Sequence, residues 1–181
     1  MNKEKFKKML SEVLKFEGKY SFDKDDAGGE TYMGICRKYY PTLSIWGSLD
    51  KMKLIGEKRG YKPTDKEMEE VENVYFKNFY QKANIDGFND TALGMQVFDW
   101  AINSGVTTAV KALQRLMHIT VDGICGKQTV TTANVRHTLS VREDYRKARI
   151  AYYNGISTKG NNKKYLKGWI KRAETCDKVF L

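Results

Sequence analysis

Glu17 stands where an apolar stripe ends. Phe6, Met9, Leu10, Val13 and Leu14 recur at the spacing of one helix face. Glu17, four residues past Val13, continues that face just before Gly18, a residue type that stops helices. A carboxyl in that place, desolvated and beside the negative end of a helix dipole, would stay protonated, the form a general acid needs near neutral pH. The same spacing fits a stripe that closes one turn earlier and leaves Glu17 as an exposed helix-end carboxylate. Residues 21–31 then form an acidic, glycine-containing loop with Asp23, Asp25 and Asp26 close together. Such acids bind a cation, cap a turn or supply a second carboxylate. The calcium-loop reading is poor, because the position that should hold a bidentate Glu is Gly34. A helix presenting Glu17, followed by a loop presenting an Asp and the hydroxyl of Thr31, suits glycoside hydrolysis. One carboxyl protonates the leaving oxygen, and another orients water or stabilises positive charge at the sugar.

The elements that must hold these groups read as helices. After the stripe of residues 6–14, a second helix is expected beyond Pro63, where Thr64 and Glu67 have capping-box spacing and Met68, Val71, Tyr75 and Phe79 form the stripe. A third carries Leu93, Val97, Phe98, Ala101 and Ile102 and ends near Gly105; a fourth carries Val110, Leu113 and Leu116. The segment Val121–Gly126 is a turn, with Thr129 capping the next helix. Thr138 or Ser140 caps a long helix through Tyr145, Arg149 and Tyr152, and a last helix holds Tyr165, Trp169 and Cys176. Between Gly28 and Ile35 there is room for a short hairpin. Asp86–Asp90 is a turn cluster that divides the chain into regions 1–88 and 89–181, as two lobes or one compact unit.

Composition narrows the class without naming a function. The chain has 181 residues, 41% hydrophobic, and a formal net charge of +10. That is enough apolar material for a core and too little in any one run to span a bilayer. Two prolines argue against a proline-rich linker. Three scattered cysteines, Cys36, Cys125 and Cys176, read as reduced thiols, and neither they nor His118 and His137 have metal-ligand spacing. No metal or cofactor is expected. Residues 136–178 contain 12 Lys or Arg and 4 Asp or Glu, a net of +8. An acidic partner is implied, whether nucleic acid, an anionic membrane or a wall polymer, or else only a solvated lysine-rich surface.

A resemblance rests on an ordered series of motifs. Glu17-Gly18-Lys19-Tyr20, then Asp23, Asp26, Gly28-Gly29, Thr31 and Gly34-Ile35, resemble the signature of the N-acetylmuramidases of glycoside hydrolase family 108, wall-degrading enzymes of phages and secretion systems that include secretion activator proteins. Lys19 replaces a glycine of that pattern and Ala27 a proline, and neither change removes a reacting group. The resemblance implies that Glu17 is the catalytic acid. The spacing of Glu17, Asp26 and Thr31 is also similar to the Glu/Asp/Thr triad of phage-type lysozymes, which implies that Asp26 and Thr31 position the attacking water. Phe98-Asp99-Trp100-Ala101-Ile102-Asn103-Ser104-Gly105, Leu113-Gln114, Val121–Thr129, Tyr152-Tyr153 and Lys167–Arg172 resemble the peptidoglycan-binding domain that accompanies the family.

The implied architecture is mainly α: a lysozyme-like helical lobe with a short hairpin, packed with a C-terminal helical lobe of peptidoglycan-binding type. The implied reaction is hydrolysis of the β-1,4 bond between N-acetylmuramic acid and N-acetylglucosamine. Tyr20 and Tyr32, with Trp46, either stack on sugar rings or belong to the core. Asp99 and Asn103, four apart on one helix face, either line a groove or form a structural polar pair. Trp100 and Trp169 are assigned to the core. Two other readings are a lytic transglycosylase using the same acid and a non-catalytic peptidoglycan-binding or secretion-assisting module. Specific nucleic-acid binding ranks last, for want of a recognition motif. The expected partner is the glycan strand, approached by a monomer without stable membrane insertion. The charged N-terminal segment lacks a secretory signal pattern. The chain is therefore expected to be made in the cytoplasm and to act at the wall, in the periplasm, after release through a holin-like exporter.

Overall fold

The computed structural model describes residues 2–22, 29–136, 138–160 and 162–181, without the side chains of residues 138 and 139. The described chain is mainly helical with one small sheet, in the order α1 (Lys3–Phe16), β1 (Tyr20–Phe22), β2 (Glu30–Tyr32), β3 (Ile35–Cys36), α2 (Ser44–Asp50), α3 (Ile55–Gly60), α4 (Asp65–Tyr75), α5 (Thr91–Ser104), α6 (Val106–Leu116), α7 (Lys127–Val135), α8 (Thr138–Ser157) and α9 (Leu166–Thr175). Among the described residues no helix is long and apolar enough to cross a membrane.

Two compact units emerge. The smaller comprises residues 7–76, and the larger comprises residues 1–6 and 77–181, so that the turn cluster 86–90 falls inside the larger one.

In the smaller unit, the expected stripe of α1 buries Met9, Leu10 and Val13. The sheet is antiparallel throughout, ordered β1-β2-β3, with Tyr20 opposite Tyr32 and Ser21 opposite Thr31 on one side of β2, and Thr31 opposite Cys36 on the other. The expected hairpin is thus β2-β3, joined by Met33 and Gly34, both at positive φ of 49° and 75°. Two consecutive left-handed residues match the right-handed twist of a two-residue hairpin. The short helices α2 and α3 have too few periodic positions to declare themselves in sequence. Trp46 of α2 is buried, and its indole N–H donates to the Tyr40 carbonyl at 2.7 Å.

Helix α4 starts as expected. The Thr64 side chain accepts from the Glu67 amide while Glu67 accepts from the Thr64 amide at 2.7 Å. Glu67 does more than cap: it is 4% exposed and also accepts from the hydroxyls of Ser48 at 2.6 Å and Tyr61 at 2.8 Å. Burial alone would push its carboxyl up, but the hydrogen bonds from Ser48, Thr64 and Tyr61 prevail and hold it below the usual carboxylate range.

The larger unit is built around α5, buried along Ala92–Ala101, against which α6 and α8 pack. Gln114 of α6 organises the turn 121–126. Its amide N–H donates to Asp122 at 2.7 Å and to Thr129 at 3.1 Å, while its oxygen accepts from the Gly123 amide at 2.8 Å. Thr129 is accordingly a buried residue of the first turn of α7 and not its cap, because its hydroxyl is committed to this clamp. Helix α8 begins at Thr138, which puts Ser140 inside the first turn. Trp100 is core as expected, whereas Trp169 is only partly buried.

The Glu67 arrangement carries a pH signature. A carboxyl held low in the folded state stabilises fully above its unfolded pKa of about 4.3 and ceases to do so as pH falls through the lower folded value. Glu67→Gln should lower the melting temperature at pH 7 by an amount equivalent to about 2 kcal/mol, and the gap from wild type should shrink below pH 4 in thermal scans.

Candidate active site

Glu17 follows the last residue of α1, and its amide still donates to the Val13 carbonyl at 3.3 Å. Its side chain is partly exposed, not sealed in the core as the continued stripe suggests. The helix ends one residue too soon to carry Glu17 inward. What confines the carboxylate is the β2-β3 turn. A Cβ on Gly34 would lie 2.5 Å from Glu17 Oε2 and 2.7 Å from Tyr75 Oη. Only a glycine therefore lets the turn close over the acid, and the positive φ independently favours glycine there.

The turn is tied on two sides. The Met33 amide donates to the Lys19 carbonyl at 2.7 Å, and the Met33 carbonyl accepts from the Tyr75 hydroxyl at 2.6 Å. Tyr75, at the end of α4 and 1% exposed, thus fixes the turn whose next residue covers Glu17. Its spacing marks it only as a core position; nothing in the sequence links it to Glu17, because the link is a contact between residues 42 apart.

Thr31 sits in the middle of β2, partly buried, with its hydroxyl 3.5 Å from the Ser21 carbonyl. Asp26, together with Asp23 and Asp25, lies outside the described residues. Tyr20 and Tyr32 are 6% and 2% exposed. The Tyr20 hydroxyl donates to Glu30 at 2.8 Å, and the Tyr32 hydroxyl donates to the Tyr61 carbonyl at 2.8 Å. Both rings pack as hairpin core and leave little face for a sugar. Glu30, the acid beside Thr31, binds Arg37 at 2.8 Å and Lys58 at 3.4 Å. Burial would raise its carboxyl, but Arg37 and the Tyr20 hydroxyl hold it low, so it remains an anion already neutralised by its neighbours.

Asp99 and Asn103 belong to the larger unit, where they take part in one internal polar cluster. Asp99 is fully buried and pairs with Arg149 at 2.6 Å and with Arg172 at 2.9 Å. Desolvation opposes its charge, and the two guanidinium groups overcome that and keep the carboxyl below its usual range. Asn103 Oδ1 accepts from the Tyr153 hydroxyl at 2.8 Å, and that hydroxyl in turn accepts from Arg149 Nε at 2.8 Å. Both Asp99 oxygens are engaged by arginines, leaving a structural anchor in place of a groove contact. No group of three potential metal-ligating side chains exists among the described residues.

Residues 10–105 match the family described as Glycosyl hydrolase 108, and residues 108–174 match the Predicted Peptidoglycan domain. Among solved structures, SagA of Brucella abortus is similar at 25% identity and a TM-score of 0.73, over 98% of this chain and 94% of that one. No curated protein matches the chain.

Three outcomes follow from the geometry. Gly34→Ala should push the Glu17 carboxylate from its place and add about 1 kcal/mol or more of backbone strain. Tyr75→Phe should cost about 1–2 kcal/mol by leaving the Met33 carbonyl without its donor. If Glu17 is the reacting acid, both should reduce wall-digesting activity by more than their denaturant midpoints imply. Asp99→Ala, by stranding two buried guanidiniums, should destabilise by about 3–5 kcal/mol in denaturant titrations.

Proposed function

Because the chain belongs to the glycosyl hydrolase 108 family and carries a peptidoglycan domain, we propose that it hydrolyses the β-1,4 bond between N-acetylmuramic acid and N-acetylglucosamine, with Glu17 as general acid. The observation that carries this reading is the confinement of one helix-end carboxylate by Gly34 and Tyr75, in a unit that from residue 10 onward falls within the hydrolase match. A general acid must keep its proton in reach of one oxygen. A carboxylate against a pinned turn meets that demand, and its partial exposure leaves it accessible to a glycosidic oxygen.

In this mechanism Glu17 delivers its proton to the bridging oxygen as the bond to the anomeric carbon breaks. Asp26 carries the second carboxylate role, orienting water or balancing the oxocarbenium charge. Thr31 holds that water from the central strand, where its hydroxyl makes, among the described residues, a long contact at 3.5 Å to the Ser21 carbonyl. The region 1–88 supplies the reacting groups, and 89–181 holds the chain on the glycan strand. A holin-like exporter would supply the route to the periplasm.

Digestion of purified peptidoglycan by wild type and Glu17→Gln, with mass spectrometry of the fragments, tests the proposal. Wild type should release fragments with reducing ends, and Glu17→Gln should fall by about a hundredfold or more. Equal activity of the two proteins removes Glu17 from the mechanism. Anhydro-muramic ends would reassign the reaction to transglycosylation.

A further inference from the structure

In the larger unit three aromatic rings climb from core to solvent. Tyr153 of α8 is fully buried; Trp169 of α9 packs on it with ring centres 5.4 Å apart; Tyr165, in the short turn before α9, stacks on Trp169 at 5.8 Å with 30° between planes. Tyr165 is 43% exposed. A single exposed aromatic is ordinary, but two further features distinguish this one.

The first is order. Tyr165 is held by an offset stack on a ring that is itself anchored in the core, so binding to it would freeze little additional motion. A Cβ at Gly168, beside Trp169, would meet nothing within 4 Å, so the surface next to the stack is open.

The second is charge. From Ser157 to Ala173 the chain holds five lysines and no acid. Lys164 Nζ lies 4.9 Å from the centre of the Tyr165 ring. Lys163 and Lys167 are exposed and, among the described residues, without an ion-pair partner. Elsewhere in the +8 segment three of the arginines are paired internally, Arg149 and Arg172 with Asp99 and Arg146 with Asp177. The field that reaches solvent here is thus the field of these lysines.

We propose that Tyr165, backed by Trp169 and flanked by Lys163, Lys164 and Lys167, is a docking platform for the glycan strand of peptidoglycan. The flexible Lys164 side chain swings off the ring, the ring takes the apolar face of a hexosamine, and the ammonium groups take the carboxylates of the muramyl peptide stems. This deepens the peptidoglycan reading above and rests on it; all five residues lie within the matched peptidoglycan domain.

The test is co-sedimentation with purified sacculi, using full-length protein carrying Glu17→Gln so that the wall is not consumed. Tyr165→Ala should weaken binding by about tenfold, the loss expected for one stacking contact, and Tyr165→Phe should retain it. Lys163→Glu with Lys164→Glu should weaken binding at low salt and flatten its salt dependence. Melting temperatures should match the parent; if Tyr165→Ala unfolds, the exposed lysine reversals decide alone. Variants that bind sacculi like the parent overturn the platform and leave the hydrolase reading intact. Variants that lose binding only to DNA or to anionic vesicles also overturn it. A Glu17→Gln parent that does not sediment with sacculi, paired with a wild type that does not digest them, overturns both.

Discussion

The Tyr75 hydroxyl donating to the Met33 carbonyl is the contact on which the neighbourhood of Glu17 depends. Met33 and Gly34 occupy the left-handed region, a conformation that costs a methionine about 1 kcal/mol or more and persists only when its surroundings impose it. Here the surroundings are Tyr75 on one side and the Lys19 carbonyl on the other. Once the turn is pinned, Gly34 has no freedom to move off the Glu17 carboxylate, and a side chain just past a helix end acquires a defined position. Neither the helix nor the hairpin would achieve this separately.

The two units meet the burden of buried acids by different means. Glu67 is surrounded by neutral hydroxyl and amide donors, which satisfy its oxygens without importing a second charge. Asp99 is paired with two guanidiniums, whose planar forks suit a carboxylate but which must themselves be desolvated. This second solution redistributes the charge of the basic segment. Arg146, Arg149 and Arg172 turn inward, and its lysines, strongly hydrated and on flexible stems, remain outside. An excess read from composition as one positive field is therefore two populations with different tasks.

Legibility in sequence followed the range of the interaction. Helix α1, the capping box of α4, the stop at Gly105 and the existence of a hairpin after Gly28 rest on residues within a few positions of one another, and each was readable from periodicity, caps and turn chemistry. Thr129 differs from its expected capping role because its hydroxyl serves Gln114, 15 residues away, and not the start of its own helix. The short helices α2 and α3 are not legible in the sequence because six or seven residues do not display a period.

The sequence alone determined that the chain is mainly helical, that a glutamate closes the first amphipathic stripe, and that its motifs belong to the glycosyl hydrolase 108 family, since these depend on residue order and local spacing. Tertiary structure decided what surrounds that glutamate, that Tyr20, Tyr32 and Asp99 are committed to internal partners, and which basic residues face solvent. The reason is physical: a side chain's burial and its hydrogen-bond partners are set by groups that approach from distant parts of the chain. Spacing along one helix places a residue on a face, and only folding supplies what that face meets.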